Sequence, residues 1–219
     1  MSGQYDLHTH TTLSDGEMLP IELVRRASVL GHTTLAITDH VDTSNLSAVI
    51  RALSEVRELA AGCGVRLLTG VEITHVPPPF IPVLARRARA EGADLVVVHG
   101  ETLVEPVAPG TNRAACSTPY VDILAHPGLI TADDALLASE HRVALEITSR
   151  GGHNRANGHV VRMAREAGCT LVVNSDTHAP SDLLDERARK GVAMGAGMTD
   201  SEVRSALSLN IDRLLETRD

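Results

Sequence analysis

The stretch DLHTHTTLSDG, Asp6 to Gly16, places two histidines one residue apart, ahead of an acidic residue and a glycine. Alternate residues of an extended strand face the same side, so His8 and His10 point together while Leu7 and Thr9 point away. Two neutral imidazoles on one face form a chelate of borderline softness, suited to Zn, Mn or Fe. Asp15 follows in a turn closed by Gly16, where the chain can swing a carboxylate back toward the pair. The same residue types recur at the ends of later apolar runs: Asp39 and His40, Glu72, His99, His126, and Asp176 with His178. Glu146 lies within one such run and is read either as a ligand or as a partner that orients one. Burying six histidines and several carboxylates without a cation would cost several kcal/mol. Bound metal removes that cost.

Other candidates are weaker. His32, His75, His141 and His159 fall on expected helices or loops away from strand ends, where packing or surface roles suffice. Asp6 either orients His8 or caps the turn. SRGGHN (149–154) follows a strand, which puts His153 and Arg150 in a loop at the mouth as candidate substrate contacts. Arg150 either offers a guanidinium to a phosphate or is a solvated loop residue. Asn112 and Arg113, in the loop after His99, are candidate substrate contacts or structural loop residues. Cys116 has no partner histidine in sequence, which argues against a nucleophile.

The elements that must hold these residues alternate. YDL (5–7), TTLAIT (33–38), VRLLTGVEI (65–73), ADLVVVHG (93–100), VDILAHPG (121–128), VALEIT (143–148) and TLVVNSD (170–176) read as strands. Between them, helices are expected from Pro20 to Leu30, at 45–62, 80–92, 131–141 and 157–168, and from Pro180 onward. VPPPFIP (76–82) is a rigid entry into the third helix, and 101–119 reads as irregular. Thr131 and Asp134 suit a capping box in shape, although glutamate is the favoured partner. Short strands separated by helices imply a parallel α/β fold. The C-terminal strand ends of such barrels meet at one mouth, so donors 170 positions apart in sequence converge.

Composition limits the classes available. The 219 residues fit one domain, 1–219, and with only 1% aromatics its core must be aliphatic. A net charge of −8 opposes an extended nucleic-acid groove or an anionic-membrane surface. Three well-separated cysteines, no apolar leader and no run near the ~18 residues of a membrane span point to a soluble, cytoplasmic protein.

HTHTTLSDG, ITDH, GVE, VHG, AHP and NSDTH, in that order, resemble the motifs of the polymerase-and-histidinol-phosphatase (PHP) family over residues 6 to about 180. The resemblance implies a distorted seven-stranded β/α (TIM-like) barrel with two to three divalent ions, Zn, Mn or Fe. By motif, His8, His10, Glu72 and Asp176 would hold one ion. Glu72, His99 and His126 would hold a second, and Asp15, His40 and His178 a third. Asp39 and Glu146 would act from behind the ligands.

The implied chemistry is hydrolysis of a small phosphomonoester by a metal-bound hydroxide, with a histidinol-phosphatase-like substrate. A phosphodiesterase or 5′-3′ exonuclease acting on short oligonucleotides or nucleotide bisphosphates is the alternative. The amidohydrolase superfamily also begins with H-x-H, but many members bridge two metals with a lysine. Here His99 ends the fourth strand and the only lysine is Lys190, in a late helix. A metal-stabilised module serving a polymerase or ribonucleoprotein is the non-enzyme reading, which the acidic balance disfavours. Oligomeric state is not legible.

Overall fold

The computed structural model describes residues 4–209 and 211–216; the remaining positions of the expected 1–219 domain lie outside the described residues. Seven parallel strands build the frame: β1 (Gln4–Asp6), β2 (His32–Ile37), β4 (Arg66–Ile73), β5 (Leu95–His99), β6 (Ile123–Ala125), β7 (Ala144–Thr148) and β8 (Leu171–Asn174), paired in that order. A two-residue strand, β3 (His40–Val41), pairs with the end of β4 and sets His40 opposite Glu72. The sequence placed these residues at a strand end and missed the separate pairing.

The sheet curls into a nearly closed barrel. Where β1 and β8 end, Thr9 and Thr177 form a parallel bridge. The N–H of His10 donates to the Thr177 carbonyl at 2.8 Å, and that of Asp176 to the His8 carbonyl at 3.0 Å.

Helices α1 (Pro20–Val29), α2 (Leu46–Gly62), α3 (Ile81–Ala90), α4 (Thr111–Cys116), α5 (Ala132–Glu140), α6 (Asn157–Ala167), α7 (Glu186–Gly195), α8 (Asp200–Leu207) and α9 (Ile211–Leu214) complete the structure. Pro78–Phe80 forms one 3₁₀ turn leading directly into α3, as the proline run suggested.

Two differences from the sequence reading have clear causes. Helix α4 lies within the stretch read as irregular, and glycine occupies its N-cap position. The Glu101 carboxylate, nine residues upstream, accepts from the N–H groups of Gly110 and Asn112 at 3.0 and 2.9 Å and so supplies the missing cap. At α5, Thr131 accepts from the N–H of Asp134, but Asp134 returns its bond to the Thr131 hydroxyl. Its side chain is one methylene shorter than glutamate's, and the full box appears instead at Thr199 and Glu202.

Strand periodicity divides the aliphatic core in two. Leu35, Ile37, Val96, Val98, Leu145 and Ile147 pack outward with the helices. Tyr5, Leu68, Leu95, Val97, Ile123, Ala144 and Val172 pack together inside the barrel, with Ile211 of α9 joining them. The inner columns change character toward the mouth: Val97 is followed two residues on by His99, Ala144 by Glu146, and Val172 by Asn174. Apolar filling gives way to donors along the same face.

Candidate metal centre

Glu72 sits at the centre of the mouth, fully buried at the end of β4. Its Oε1 lies 3.4 Å from His8 Nε2 and 3.5 Å from His126 Nε2. Its Oε2 lies 3.6 Å from His10 Nε2 and 2.8 Å from His40 Nδ1. Asp176 Oδ1 is 3.3 Å from His10 Nε2, and Asp15 Oδ2 stands 3.2 Å from His178 Nε2 and 3.5 Å from His40 Nε2.

Most of these separations exceed an N–H···O hydrogen bond of about 2.7–3.2 Å. They match neighbouring donors around a tetrahedral ion with bonds of about 2.0–2.2 Å, which stand roughly 3.3–3.6 Å apart.

Proton positions support that reading. His8 Nδ1 lies 2.8 Å from Glu146 Oε1, which as a carboxylate only accepts, so Nδ1 carries the proton. Nε2 then turns a lone pair toward the Glu72 and Asp176 carboxylates unless a second proton or a cation sits there. His178 Nδ1 likewise donates to the Asp176 carbonyl at 3.0 Å, freeing its Nε2 toward Asp15. His8 Nε2, His10 Nε2 and both carboxylate oxygens of Glu72 are buried without a hydrogen-bond partner. Divalent cations fit this donor set and would satisfy all four atoms.

The electrostatics of the donors are strongly coupled. Burial depresses His40, yet the Glu72 and Asp15 carboxylates raise it to about 10. Burial also opposes His8 charging, but Glu146, Glu72 and Asp176 drive its pKa well above the ordinary value. Burial would raise Asp15, but the His178 and His40 rings, whose proton affinity is raised beside it, hold it below the ordinary carboxylate range when they take up a second proton. Two donors, His126 and Asp176, adopt left-handed backbone with φ of 28° and 56°. Such strain in non-glycine residues is characteristic of functional positions.

The PHP domain family model matches residues 6–167. The chain belongs to the PHP family.

Three similarities place this PHP chain more closely. It is 48% identical over 206 residues, 93% of this chain and 94% of the other, to the uncharacterized protein MJ1295 of Methanocaldococcus jannaschii. A chain in the structure of archaeal ribonuclease P with mature tRNA superposes with a TM-score of 0.70 at 16% identity, covering 97% of this chain and 90% of that one. Histidinol phosphate phosphatase (HISK) of Lactococcus lactis subsp. lactis Il1403, complexed with Zn, L-histidinol and phosphate, gives 0.61 at 15% identity, covering 90% and 94%. The two structural likenesses show a shared fold.

The barrel brings the expected donors together unevenly. His8, His10 and Glu72 form one compact group, and Asp15, His40 and His178 form another that His10 also reaches. His99 and His126 are neighbours, with ring centroids 4.4 Å apart. They close into a compact group with His153, whose ring lies 4.3 Å from that of His126.

Glu146 accepts from His8 Nδ1, from Asn174 Nδ2 at 2.9 Å and from the N–H of His126 at 3.0 Å, bracing two donor segments at once. Asp39 accepts from the N–H and hydroxyl of Thr11 at 2.8 and 2.7 Å and from the Ser14 hydroxyl at 2.6 Å. It pins the loop that carries Asp15. Asp6 accepts from the N–H groups of His8 and Ser175, both at 3.3 Å, and so holds backbone rather than an imidazole ring.

The substrate candidates separate. Arg150 donates to Asp182 at 3.2 Å, and the same carboxylate oxygen accepts from the N–H groups of His178 and Ala179. Asn112 is buried with its amide engaged at both ends, on the Glu101 N–H and the Pro127 carbonyl. Arg113 pairs with Asp134 of α5 at 3.2 Å.

Sequence reasoning missed Glu105. Its carboxylate stands 3.1 Å from His99 Nε2, 3.2 Å from His153 Nε2 and 3.3 Å from His75 Nε2. The His99 contact, against some burial, holds it down at about 2. Glu105 lies in mid-loop with no strand end to mark it, so no pattern in the sequence singles it out. The three cysteines are free, and among the described residues no helix is long and apolar enough to cross a membrane.

Proposed function

We propose that this PHP-family, metal-dependent phosphoesterase acts on a small phosphomonoester, in the manner of a histidinol phosphatase, through a centre of up to three divalent ions. The observation that carries the proposal is the buried Glu72 carboxylate. It is ringed by His8, His10 and His126 at donor-edge separations, His40 stands nearer at 2.8 Å with its Nδ1 engaged on the Thr74 hydroxyl, and neither carboxylate oxygen has a hydrogen-bond partner.

His8, His10, Glu72 and Asp176 would hold the first ion, His99 and His126 the second beside Glu72, and Asp15, His40 and His178 the third. Zn, Mn and Fe all suit imidazole and carboxylate donors. Divalent ions in such a site lower the pKa of water to near neutrality and offset phosphoryl charge. Glu146 fixes the tautomer of His8 and the backbone of His126, and Asp39 fixes the Asp15 loop; both are positioning residues. Arg150 would meet a phosphoryl oxygen with the N–H groups not used on Asp182. Asn112 and Arg113, engaged on the protein itself, would shape the pocket wall.

A net charge of −8 and three aromatic residues favour a small ligand over an extended strand, which would need basic tracking and base stacking. The test is an assay of stripped and Mn- or Zn-reloaded protein against phosphomonoesters, dinucleotides and nucleotide bisphosphates. Metal-dependent phosphate release from monoesters is the expected outcome. Cleavage restricted to dinucleotides or bisphosphates would overturn the monoesterase reading, and full activity in His10→Ala would overturn the metal mechanism.

A further inference from the structure

The second ion of the family pattern needs donors from His99, His126 and Glu72; here His126 stands 3.5 Å from Glu72, and His99 and His126 also close into a compact group with His153. His99 Nδ1 lies 3.2 Å from the Gly100 carbonyl, so its proton belongs there and Nε2 is left with a lone pair. That lone pair faces Glu105 Oε2 at 3.1 Å, while Oε1 of the same carboxylate stands 3.2 Å from His153 Nε2. His153 Nδ1 is buried and has no partner. One carboxylate thus meets His99, His153 and the exposed His75 at 3.1–3.3 Å, and His126 closes into a compact group with the first two.

The fold builds this arrangement from two loops that touch. Gly152 has φ of 90°, and a Cβ there would meet Val104 Cγ1 at 3.3 Å. The bare glycine lets Val104 seat against the 149–154 loop, which brings Glu105 and His153, each one residue further on, face to face. Glu101 and Asn112 anchor the base of the Glu105 loop through the bonds to Gly110, Asn112 and Pro127 already described. A loop whose only task was to cover the barrel would have no need of a carboxylate held among histidines.

We propose that His153 and Glu105 join His99, His126 and Glu72 as ligands of the second metal ion. Imidazole and carboxylate donors of this kind suit zinc, manganese or iron, and zinc serves as the probe. His153, a substrate contact by sequence position, becomes part of the metal site. The inference rests on the metal-centre reading above.

The decisive measurement is metal binding, read without substrate. Wild-type protein is stripped, reloaded with zinc and crystallised, and the anomalous signal at the zinc edge locates the ions. Zinc within about 2.0–2.2 Å of a His153 nitrogen and a Glu105 oxygen is the expected result. Zinc at His99 and His126 with both residues outside bonding distance overturns the proposal. In parallel, chelator competition measures zinc affinity in His153→Ala and Glu105→Gln. One ion should weaken by more than the roughly 10–100-fold that loss of an outer hydrogen-bond partner costs, while the others keep their affinity. Retention of every ion by His153→Ala, when His126→Ala loses one, sinks this inference and leaves the family reading standing. Retention by His8→Ala and His126→Ala alike sinks the metal-centre reading itself. If a variant fails to fold by circular dichroism, the wild-type anomalous map still decides.

Discussion

At the scale of single residues, the site is governed by where protons sit. Glu146 accepts from His8 Nδ1 at 2.8 Å and thereby aims the Nε2 lone pair into the mouth. In Glu146→Gln the amide can present an N–H to that nitrogen and release the tautomer. Metal affinity at the His8 site should fall about 10–100-fold, read by chelator competition, with the overall fold retained by circular dichroism.

Asp15 and His40 predict a stability window for metal-free protein. The folded pKa of Asp15 is lowered, so its stabilisation is present above the ordinary value of 3.8 and is lost as pH falls. That of His40 is raised from 6.5 to about 10, so its share is complete below 6.5 and is lost as pH rises through 10. Chelator-treated protein should therefore melt highest at mildly acidic pH and decline on the alkaline side. Metal-loaded protein should reverse the alkaline decline, because ligands that shed protons bind metal more tightly. Melting curves across pH, with and without chelator, check both signs.

At the scale of elements, the strand ends were legible because each donor terminates an apolar run: His99 closes LVVVH and Glu72 nearly closes RLLTGVEI. The loops were not legible. Glu105–His153 and the meeting of Val104 with Gly152 join segments about fifty residues apart, and helix α4 relies on a carboxylate cap nine residues upstream; no local periodicity encodes either. Arg113 and Asn112 show the same limit, because their partners Asp134 and Pro127 lie on other elements.

Gly16 illustrates a turn that sequence did locate. A Cβ on it would stand 2.5 Å from the His10 carbonyl oxygen, a backbone atom with no room to retreat. Gly16→Ala should shift the Asp15 loop, costing about 1–3 kcal/mol in urea melts and weakening the ion at Asp15, His40 and His178. Unchanged stability and metal content would show that the turn relaxes freely.

At the scale of the whole molecule, family and barrel architecture were readable because the ordered motifs span most of the chain, and the scarcity of aromatics forced an aliphatic interior. The seam between β1 and β8 was not, since it rests on a single bridge outside the regular strands. Ions that bind only the folded barrel stabilise it by mass action. Zinc at 100 times its Kd should add about 2.7 kcal/mol per site and raise Tm by roughly 5–10 °C, reversed by chelator. The acidic surface predicts that binding of any short nucleotide will show little salt dependence, in contrast to the steep slope of a multi-phosphate contact.

The seam also sets the order of events. The Thr9–Thr177 bridge joins the segment bearing His8 and His10 to the segment bearing Asp176 and His178, across 168 positions of chain. The first group therefore has all four of its donors only after the barrel has come full circle. If those four residues hold an ion, its capture would come late in folding, and the ion would rivet the last joint to close. An opening of that joint, however brief, is the route by which metal would leave, so the rate of zinc release should track amide exchange at His10 and Asp176.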